Sequence, residues 1–206
     1  MTQAKPTVFV VDDDLAMRES LRSLVRSVGL EVQTLDSVPE FLKFERWTGP
    51  TCLVLDVRLP GRSGLDFQRD LLAANVHIPI IFITAFGDIP MTVQAMKGGA
   101  IAFLPKPFRD QDLIEAIQLG LARDQARREG ETEMATLRAR FEMLSIRERE
   151  VMFFVTKGQI NKHIAASMGI SEITVKVHRG QVMRKMHATS TPDLARMADK
   201  LKDLGQ

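Results

Sequence analysis

Charged and polar side chains follow short apolar runs of this sequence, at the points where four of these runs end. They are Asp12, Asp13, Asp56, Thr84 and Lys106. Apolar runs of this length, bounded by turn residues, indicate buried strands of a parallel sheet. Because parallel strands carry their sites at their carboxyl ends, we expect all five side chains to meet at one edge of the sheet.

These residue types are suited to phosphate chemistry assisted by a metal ion. Crowded carboxylates resist ionisation unless a cation joins them, and Mg²⁺ prefers oxygen ligands and accepts phosphate oxygens. The carboxylate of Asp56 could act as a covalent nucleophile and form an aspartyl-phosphate. Lys106 would neutralise charge on the phosphoryl group, and Thr84 could donate a hydrogen bond to a phosphate oxygen.

Each of these residues also has an ordinary structural role open to it. Asp12, Asp13 and Asp56 could cap a helix or turn, Thr84 could simply end a strand, and Lys106 lies between two prolines in a turn. These roles would require four coincidences at one edge of a single sheet. The pattern as a whole therefore favours a site centred on Asp56.

The elements that must position this site alternate between strand and helix five times. The predicted strands lie at residues 8–11, 31–35, 53–55, 79–83 and 101–104, and helical spacing fills the segments between them. Such alternation predicts an α/β fold with a doubly wound, five-stranded parallel sheet and right-handed crossovers.

Composition and charge limit the classes of protein to consider. The single cysteine, Cys52, lies in an apolar run, which excludes an internal disulfide and suits a reducing cytoplasm. The short apolar run before Asp12 is neither a signal peptide nor a membrane span, so we expect no membrane partner. The net charge is +2, but residues 144–206 hold 11 Lys and Arg against 6 Asp and Glu. This basic excess suggests a polyanionic partner for the last third of the chain.

Residues 123–143 have the composition of a charged, largely helical linker. Gly130 is its weak point, since glycine costs a helix about 1 kcal/mol relative to alanine. Apolar side chains recur in and just after it at helical spacing, at Met134, Leu137, Phe141 and Leu144. This stripe could pack on a neighbouring domain or on a second copy of the chain, or it could belong to a solvated helix.

The last third, residues 144–206, contains helical patterns and predicts an all-α domain of four helices. Ser145 and Glu148 form a capping box, Gly169 separates the second helix from the third, and Ser171 caps the third. Two helices joined by a short turn are typical of a helix-turn-helix, whose second helix lies in the major groove of DNA. The basic excess makes double-stranded DNA the favoured partner.

The first part of the chain resembles the receiver domain of two-component response regulators, a CheY-like fold, over residues 7 to about 122. The motifs are Asp12-Asp13, the LDVRLPG run around Asp56, Thr84-Ala85 and Lys106-Pro107. The resemblance implies that Asp56 is the phospho-acceptor, that Lys106 is the phosphate partner, and that the Lys106–Pro107 bond is cis. It implies Mg²⁺ held by Asp13, Asp56 and the backbone carbonyl of Arg58, with Asp12 acting partly through water. Thr84 and Phe103 would be the switch pair, with Phe103 where the family often has tyrosine.

The last part resembles the LuxR-type DNA-binding domain, on LSIREREV at 144–151, NKHIA at 161–165 and ITVKVH at 173–178. The combination of the two domains is that of the FixJ/NarL family, and the chain is most similar to the FixJ and StyR branch. The resemblance implies base-reading residues at Lys176, Val177 and Gly180, although glycine offers no side chain for such a contact. Further DNA contacts are expected from Lys162, Thr174, Arg179 and Arg184.

These observations predict a response regulator and not an enzyme: a transcription factor whose DNA binding is switched by phosphorylation of Asp56 by a sensor histidine kinase. We expect a receiver at 1–122, a linker at 123–143 and a DNA-binding domain at 144–206. We also expect a transcriptional activator that acts as a homodimer on phosphorylation, with RNA polymerase as a further candidate partner.

Two other functions stay open at this level. A Mg²⁺-dependent phosphatase of the haloacid dehalogenase type would also form an aspartyl-phosphate, but Ala16 stands where its motif has Thr or Val, and Asp56 would have no role. An unregulated DNA-binding protein whose sheet domain only dimerises would bind DNA fully without a phosphate donor, and Asp56→Asn would leave that binding unchanged.

Overall fold

A computed structural model of the chain describes residues 5–44 and 48–202. The ends of the predicted receiver and DNA-binding domains, residues 1–4 and 203–206, lie outside this range. The described residues fall into two compact units, which meet in sequence between Arg128 and Glu129. None of the helices in the described ranges is long and apolar enough to cross a membrane.

The first unit is built on a five-stranded parallel sheet, as predicted. Its strands, in the spatial order β2-β1-β3-β6-β7, are β1 (Thr7–Val11), β2 (Glu31–Leu35), β3 (Thr51–Asp56), β6 (Ile80–Thr84) and β7 (Ala102–Pro105). All neighbouring pairs are parallel, and Asp56 is in register with Ile83. Between β3 and β6 the chain forms a hairpin that the sequence pattern did not predict, with strands β4 (Arg58–Leu59) and β5 (Arg62–Ser63).

Helices cover both faces of this sheet. They are α1 (Leu15–Ser27), α2 (Val38–Leu42), α3 (Gly64–Ala73), α4 (Ile89–Lys97) and the start of α5 (Asp110–Glu142). Side chains of β1 alternate between two cores: Phe9 packs in the core with α2 and α3, and Val8 packs in the core with α1 and α5. This alternation follows from the period of two in a strand, and it explains why each strand is apolar throughout.

Helix α5 approaches β3 closely at Gly120. A Cβ atom added to Gly120 would lie 2.7 Å from Sγ of Cys52, so any larger residue would force the helix away from the strand. Cys52 is fully buried, and this burial raises the pKa of its thiol to about 12, with the Asp124 carboxylate adding to the effect. The thiol is therefore protonated and unreactive at neutral pH.

Asp124 lies in the segment that sequence composition assigns to the charged linker, yet its side chain is fully buried. Its carboxylate accepts hydrogen bonds from the backbone N–H of Thr51 at 2.9 Å, Nη2 of Arg127 at 2.6 Å and Nε of Arg128 at 2.6 Å. Burial alone would raise the pKa of Asp124, but these donors outweigh it and hold the pKa below its ordinary value. The contact fixes this turn of α5 to the start of β3.

We expect Asp124→Asn to lower the free energy of unfolding of the first unit by about 3 kcal/mol at pH 7, because a buried ion pair loses one partner. Because the folded pKa is depressed, the stabilisation is complete above the unfolded pKa of about 3.9 and is lost as pH falls through the lower folded value. Urea unfolding followed by far-ultraviolet circular dichroism, at pH 7 and at pH 3, measures both effects. Asp112→Asn is the control, since Asp112 pairs with Arg109 at the surface. An equal loss in the two variants would contradict this account of Asp124.

The second unit contains the end of α5 and four further helices, as predicted for the DNA-binding domain. They are α6 (Ile146–Thr156), α7 (Asn161–Met168), α8 (Glu172–Met186) and α9 (Thr191–Lys202). The apolar stripe of the predicted linker packs in the core of this unit: Leu137 and Leu144 are buried, and Met134 and Phe141 contact them. Of the roles considered for this stripe, packing on the neighbouring helical domain is the one observed.

An ion pair between Glu148 and Lys185 joins α6 to α8 in this unit. The capping box at the start of α6 is formed, and Oε2 of its Glu148 also accepts from Nζ of Lys185 on α8 at 2.6 Å. Burial would raise the pKa of Glu148, but the Lys185 ammonium and the cap N–H of Ser145 hold this pKa below its usual range. The sequence pattern predicted the cap but not the partner, because Lys185 is 37 residues away.

Candidate functional site

The three aspartates predicted to form a site lie together at the carboxyl edge of the sheet. Carboxylate oxygens of Asp12, Asp13 and Asp56 all lie within 4.8 Å of one another. Asp12 follows β1 and is fully buried, Asp13 is exposed, and Asp56 ends β3 and is 7% exposed. The neighbouring Asp14 caps α1 by accepting from the N–H groups of Ala16 and Met17, so capping of that helix does not account for Asp12 and Asp13.

Lys106 reaches this cluster from the loop after β7. Its Nζ lies 2.7 Å from Oδ2 of Asp12 and 2.7 Å from Oδ2 of Asp56, so one ammonium joins the ends of two strands. The backbone N–H of Lys106 donates to the carbonyl of Thr84 at 2.7 Å, which fixes the loop against β6. The Lys106–Pro107 peptide bond is cis, as the family resemblance implies.

The electrostatics of the cluster favour a further cation. Burial raises the pKa of Asp12, and the hydrogen bond from Lys106 offsets only part of this effect. Burial would lower the pKa of Lys106, but its bonds to Asp12 and Asp56 outweigh that and raise the pKa, so the ammonium stays charged. One ammonium is thus shared by Asp12 and Asp56, Asp13 adds a third carboxylate nearby, and the three groups of oxygens form a donor set suited to a hard divalent ion.

Asp56 is held by its neighbours so that its carboxylate faces the cluster. Oδ1 accepts from the backbone N–H of Arg58 at 2.9 Å, while Oδ2 receives Lys106. Helix α3 begins close behind it: a Cβ added to Gly64 would lie 2.5 Å from the backbone carbonyl oxygen of Asp56, so only glycine fits there. The guanidinium of Arg58 lies over the ring of Phe86, with Cζ of Arg58 4.4 Å from the ring centroid.

Thr84, the first residue of the predicted switch pair, ends β6, the strand next to β3, and Phe103 lies on β7, the strand beyond β6. Thr84 is fully buried and follows Ile83, the register partner of Asp56, and its Oγ1 accepts from the N–H of Phe86 at 3.2 Å. Phe103 is half-buried against the core. A Cβ on Gly87 would lie 2.8 Å from the Phe103 ring and 3.2 Å from Cγ2 of Thr84. A side chain at position 87 would therefore collide with the Phe103 ring, so glycine allows Phe103 and Thr84 to pack closely against this loop.

In the second unit, α7 and α8 form the predicted helix-turn-helix. Helix α7 ends at Gly169, which adopts the left-handed conformation with φ 65°. The hydroxyl of Ser171 accepts from the N–H of Thr174 and caps α8. These two local signals, a left-handed glycine and a capping serine, define a short turn between the helices.

Helix α8 has two distinct faces. Val175, Val182 and Met186 are buried in the core of the unit. The opposite face is exposed and follows helical spacing; it consists of Ile173, Lys176, Val177, Gly180 and Arg184. Four of these five were predicted as DNA-contacting residues, and the structure brings them onto one surface, which we call the α8 face.

The other predicted DNA contacts lie elsewhere. Lys162 is exposed in the first turn of α7, and Thr174 is half-buried with Oγ1 2.8 Å from Oγ of Ser171. Arg179 is half-buried and off the α8 face, with its guanidinium donating to Oδ1 of Asn161 at 3.2 Å and Oγ1 of Thr191 at 2.8 Å. Within the domain, Arg179 therefore connects α8 to the starts of α7 and α9.

Comparison with known proteins assigns both units to families. The model of the response regulator receiver domain matches residues 8–118, and that of the luxR family of bacterial regulatory proteins matches residues 142–198. Nodulation protein W of Bradyrhizobium diazoefficiens is 56% identical over 197 residues, covering 96% of this chain and 87% of that protein. The transcriptional regulatory protein FixJ of Azorhizobium caulinodans is 44% identical, covering 93% and 90%. The solved structure of the response regulator StyR has a TM-score of 0.88 and 50% identity, covering 96% of this chain and 100% of that one.

The fold, the acidic cluster and the helix-turn-helix agree with these matches over nearly the whole chain. The phosphatase alternative is wrong, because the family consists of transcription regulators and not of enzymes. The receiver domain implies a sensor kinase as partner, and the LuxR-type domain implies DNA binding. The chain belongs to the response regulators with a receiver and a LuxR-type DNA-binding domain, and it is a transcription regulator of a two-component system.

Proposed function

We propose that a sensor histidine kinase phosphorylates Asp56 and that this modification switches the chain into a DNA-binding dimer that activates transcription. The observation that carries this proposal is the double contact of the Lys106 ammonium, at 2.7 Å from both Asp12 and Asp56. A cation held between an acceptor carboxylate and its neighbour suits the arrival of a phosphoryl group, whose added charge it offsets.

In the phosphorylation step, the carboxylate of Asp56 attacks the phosphorus of a phosphohistidine. An oxygen–phosphorus bond forms, the nitrogen–phosphorus bond breaks, and the electron pair returns to the imidazole of the kinase. Oδ1 of Asp56 already accepts from the Arg58 N–H, so Oδ2, which contacts Lys106, is the oxygen we assign as nucleophile. Lys106 then pairs with the phosphoryl oxygens instead of the carboxylate.

Mg²⁺ fits the donor set of this site. Asp13, Asp56 and the backbone carbonyl of Arg58 would hold it, with Asp12 acting partly through water, because buried and crowded carboxylates require more positive charge than one ammonium supplies. When bound, the ion would neutralise charge on the phosphoryl oxygens.

The switch would act through Thr84 and Phe103. The Thr84 hydroxyl would leave the Phe86 N–H and donate to a phosphoryl oxygen, and Phe103 would move into the space that Thr84 vacates. This local rearrangement would bias the surface formed by α4, β7 and α5 between two states. On α4, Val93 is 45% exposed and Met96 is 46% exposed, so an apolar patch is available there for pairing with a second copy.

DNA binding would use the α8 face. Lys176, Val177 and Gly180 would lie against base edges, while Lys162 and Arg184 would neutralise phosphates from either side. Thr174 would contribute to the phosphate contacts from the start of α8, and Arg179 would support the interface by fixing α8 in place. A dimer of this kind would bring RNA polymerase to a promoter with two half-sites.

DNA affinity measured with and without a small phosphate donor, which replaces the kinase, tests the proposal. Acetyl phosphate with Mg²⁺ should raise the affinity of the full chain for a DNA site selected from random sequences, and chelation of Mg²⁺ should abolish that increase. Equal affinity under both conditions would favour the unregulated DNA-binding protein considered above.

We expect Lys106→Ala to be phosphorylated by acetyl phosphate but to respond poorly to it. Its ammonium stabilises the phosphorylated state more than it speeds attack, since a bound divalent ion already offsets the carboxylate charge. The adduct is measured by mass spectrometry and the dimer by sedimentation. Lys5→Ala, which removes an exposed ammonium that pairs with Glu31, is the control. Dimer formation by Lys106→Ala at the wild-type level would rule out this role.

We expect Gly180→Lys to bind DNA more tightly than the wild type. A Cβ at this position meets nothing within 4 Å, so the side chain is free to extend from the α8 face. One added cation should steepen the dependence of log affinity on log salt by about one unit. Gly180→Ala is the control, because it raises helix stability by about 0.5–1 kcal/mol without adding charge. An unchanged salt dependence in the lysine variant would show that position 180 does not face DNA.

A further inference from the structure

The α8 face carries an isoleucine that the family resemblance leaves without a role. Ile173 lies in the first turn of α8 with 78% of its surface exposed, and Val177, one turn further along the same face, is 57% exposed. The remaining members of the face are Lys176, Gly180 and Arg184, so two branched apolar side chains stand among cations.

Exposure of a single isoleucine is ordinary and indicates nothing by itself. Ile146 on α6 is also 78% exposed, for example. The position of Ile173 is what distinguishes it. In a helix-turn-helix, residues at the N-terminal end of the second helix contact base edges, and Ile173 is the second residue of that helix.

The chemistry of isoleucine selects one feature of the major groove. Its side chain has no hydrogen-bond donor or acceptor, so it gains nothing from the polar edges of guanine, cytosine or adenine. Thymine alone presents a methyl group there, which makes apolar contacts with side chains of this kind. The cations Lys176 and Arg184 on the same face favour DNA over an apolar protein partner.

We propose that Ile173 is a specificity-determining residue that selects a thymine by its methyl group in each half-site. This role rests on the proposed DNA-binding function. Val177 adds a second apolar contact one turn away. Gly180 adds no side chain to the α8 face, so it does not cover the two apolar side chains.

Selection followed by removal of single methyl groups tests this inference. The full chain, activated with beryllofluoride and Mg²⁺, is used to select sites from a library of random double-stranded DNA. Each thymine of the selected site is then replaced by deoxyuridine, which differs only by the methyl group. The wild type should bind about fourfold more weakly when the critical methyl is removed, the loss expected for one buried carbon. Ile173→Ala should bind both versions of that site equally.

Two variants serve as controls. Ile146→Ala removes an equally exposed isoleucine from α6 and should keep the wild-type discrimination, and Ile173→Val, which keeps a branched apolar side chain, should keep most of it. If Ile173→Ala still distinguishes thymine from uracil at every position as the wild type does, Ile173 does not read a methyl. If the activated wild type enriches no sequence from the library, the proposed DNA-binding function itself fails, independently of Ile173.

Discussion

Asp56→Asn should take up no phosphoryl group from acetyl phosphate in Mg²⁺, whereas the wild type should gain one. The acceptor is identified by its place at the end of β3, where its Oδ2 lies 2.7 Å from the Lys106 ammonium. An amide has no anionic oxygen to attack phosphorus, so the expected effect is complete loss and not a reduction. Intact-protein mass spectrometry measures the adduct.

A second carboxylate serves as the control for this result. Asp66 lies at the start of α3, only ten residues after Asp56 in the sequence, but its carboxylate pairs with Arg69 at the surface. Asp66→Asn should therefore take up phosphate as the wild type does. A stoichiometric adduct on Asp56→Asn would show that another residue is the acceptor.

Phosphorylation should raise DNA affinity by a factor of about 10² to 10⁴ through pairing of two chains. Two DNA-binding domains tied together by their receivers act at high effective concentration, even when each binds weakly alone. The dimer should read two half-sites about 10 base pairs apart, since one helical turn separates equivalent major-groove positions. Sedimentation and DNA affinity are measured on the same samples, with and without beryllofluoride.

The isolated DNA-binding unit provides the comparison for this prediction. The fragment should begin at residue 129, where the second unit begins, because a start after Leu137 would remove a side chain that is only 5% exposed within its core. The fragment should bind as weakly as the unphosphorylated whole. If it binds as tightly as the phosphorylated chain, relief of an inhibitory contact replaces pairing as the mechanism.

The sheet and its acidic cluster were predictable because their signals are local. Apolar runs define the strands, and parallel strands bring their ends to one edge, so Asp12, Asp56 and Lys106 converge without knowledge of any contact. Similarly, the turn before α8 follows from Gly169 and Ser171. Among the described residues, the hairpin after Asp56 was absent from the sequence interpretation, because strands of two residues leave no periodic signal.

The sequence pattern failed where burial depends on distant partners. Asp124 lies among arginines and glutamates in the sequence, which suggests a solvated position. Its carboxylate is buried because it accepts from the N–H of Thr51, which is 73 residues away. Likewise, nothing local in the sequence indicated that the Arg179 guanidinium would donate to Asn161 and Thr191. In contrast, Ile173 is a residue type common in protein cores, but it is exposed. The helical periodicity of α8 places other apolar residues on the face that packs in the core.

Control of DNA binding by phosphorylation of Asp56 can be measured on two proteins. The affinity for the selected DNA site is determined for the wild type and for Asp56→Asn, each with and without acetyl phosphate in Mg²⁺. We expect at least a hundredfold gain in affinity for the wild type on addition of acetyl phosphate, and none for Asp56→Asn. Equal and tight binding by both proteins under both conditions would contradict this control.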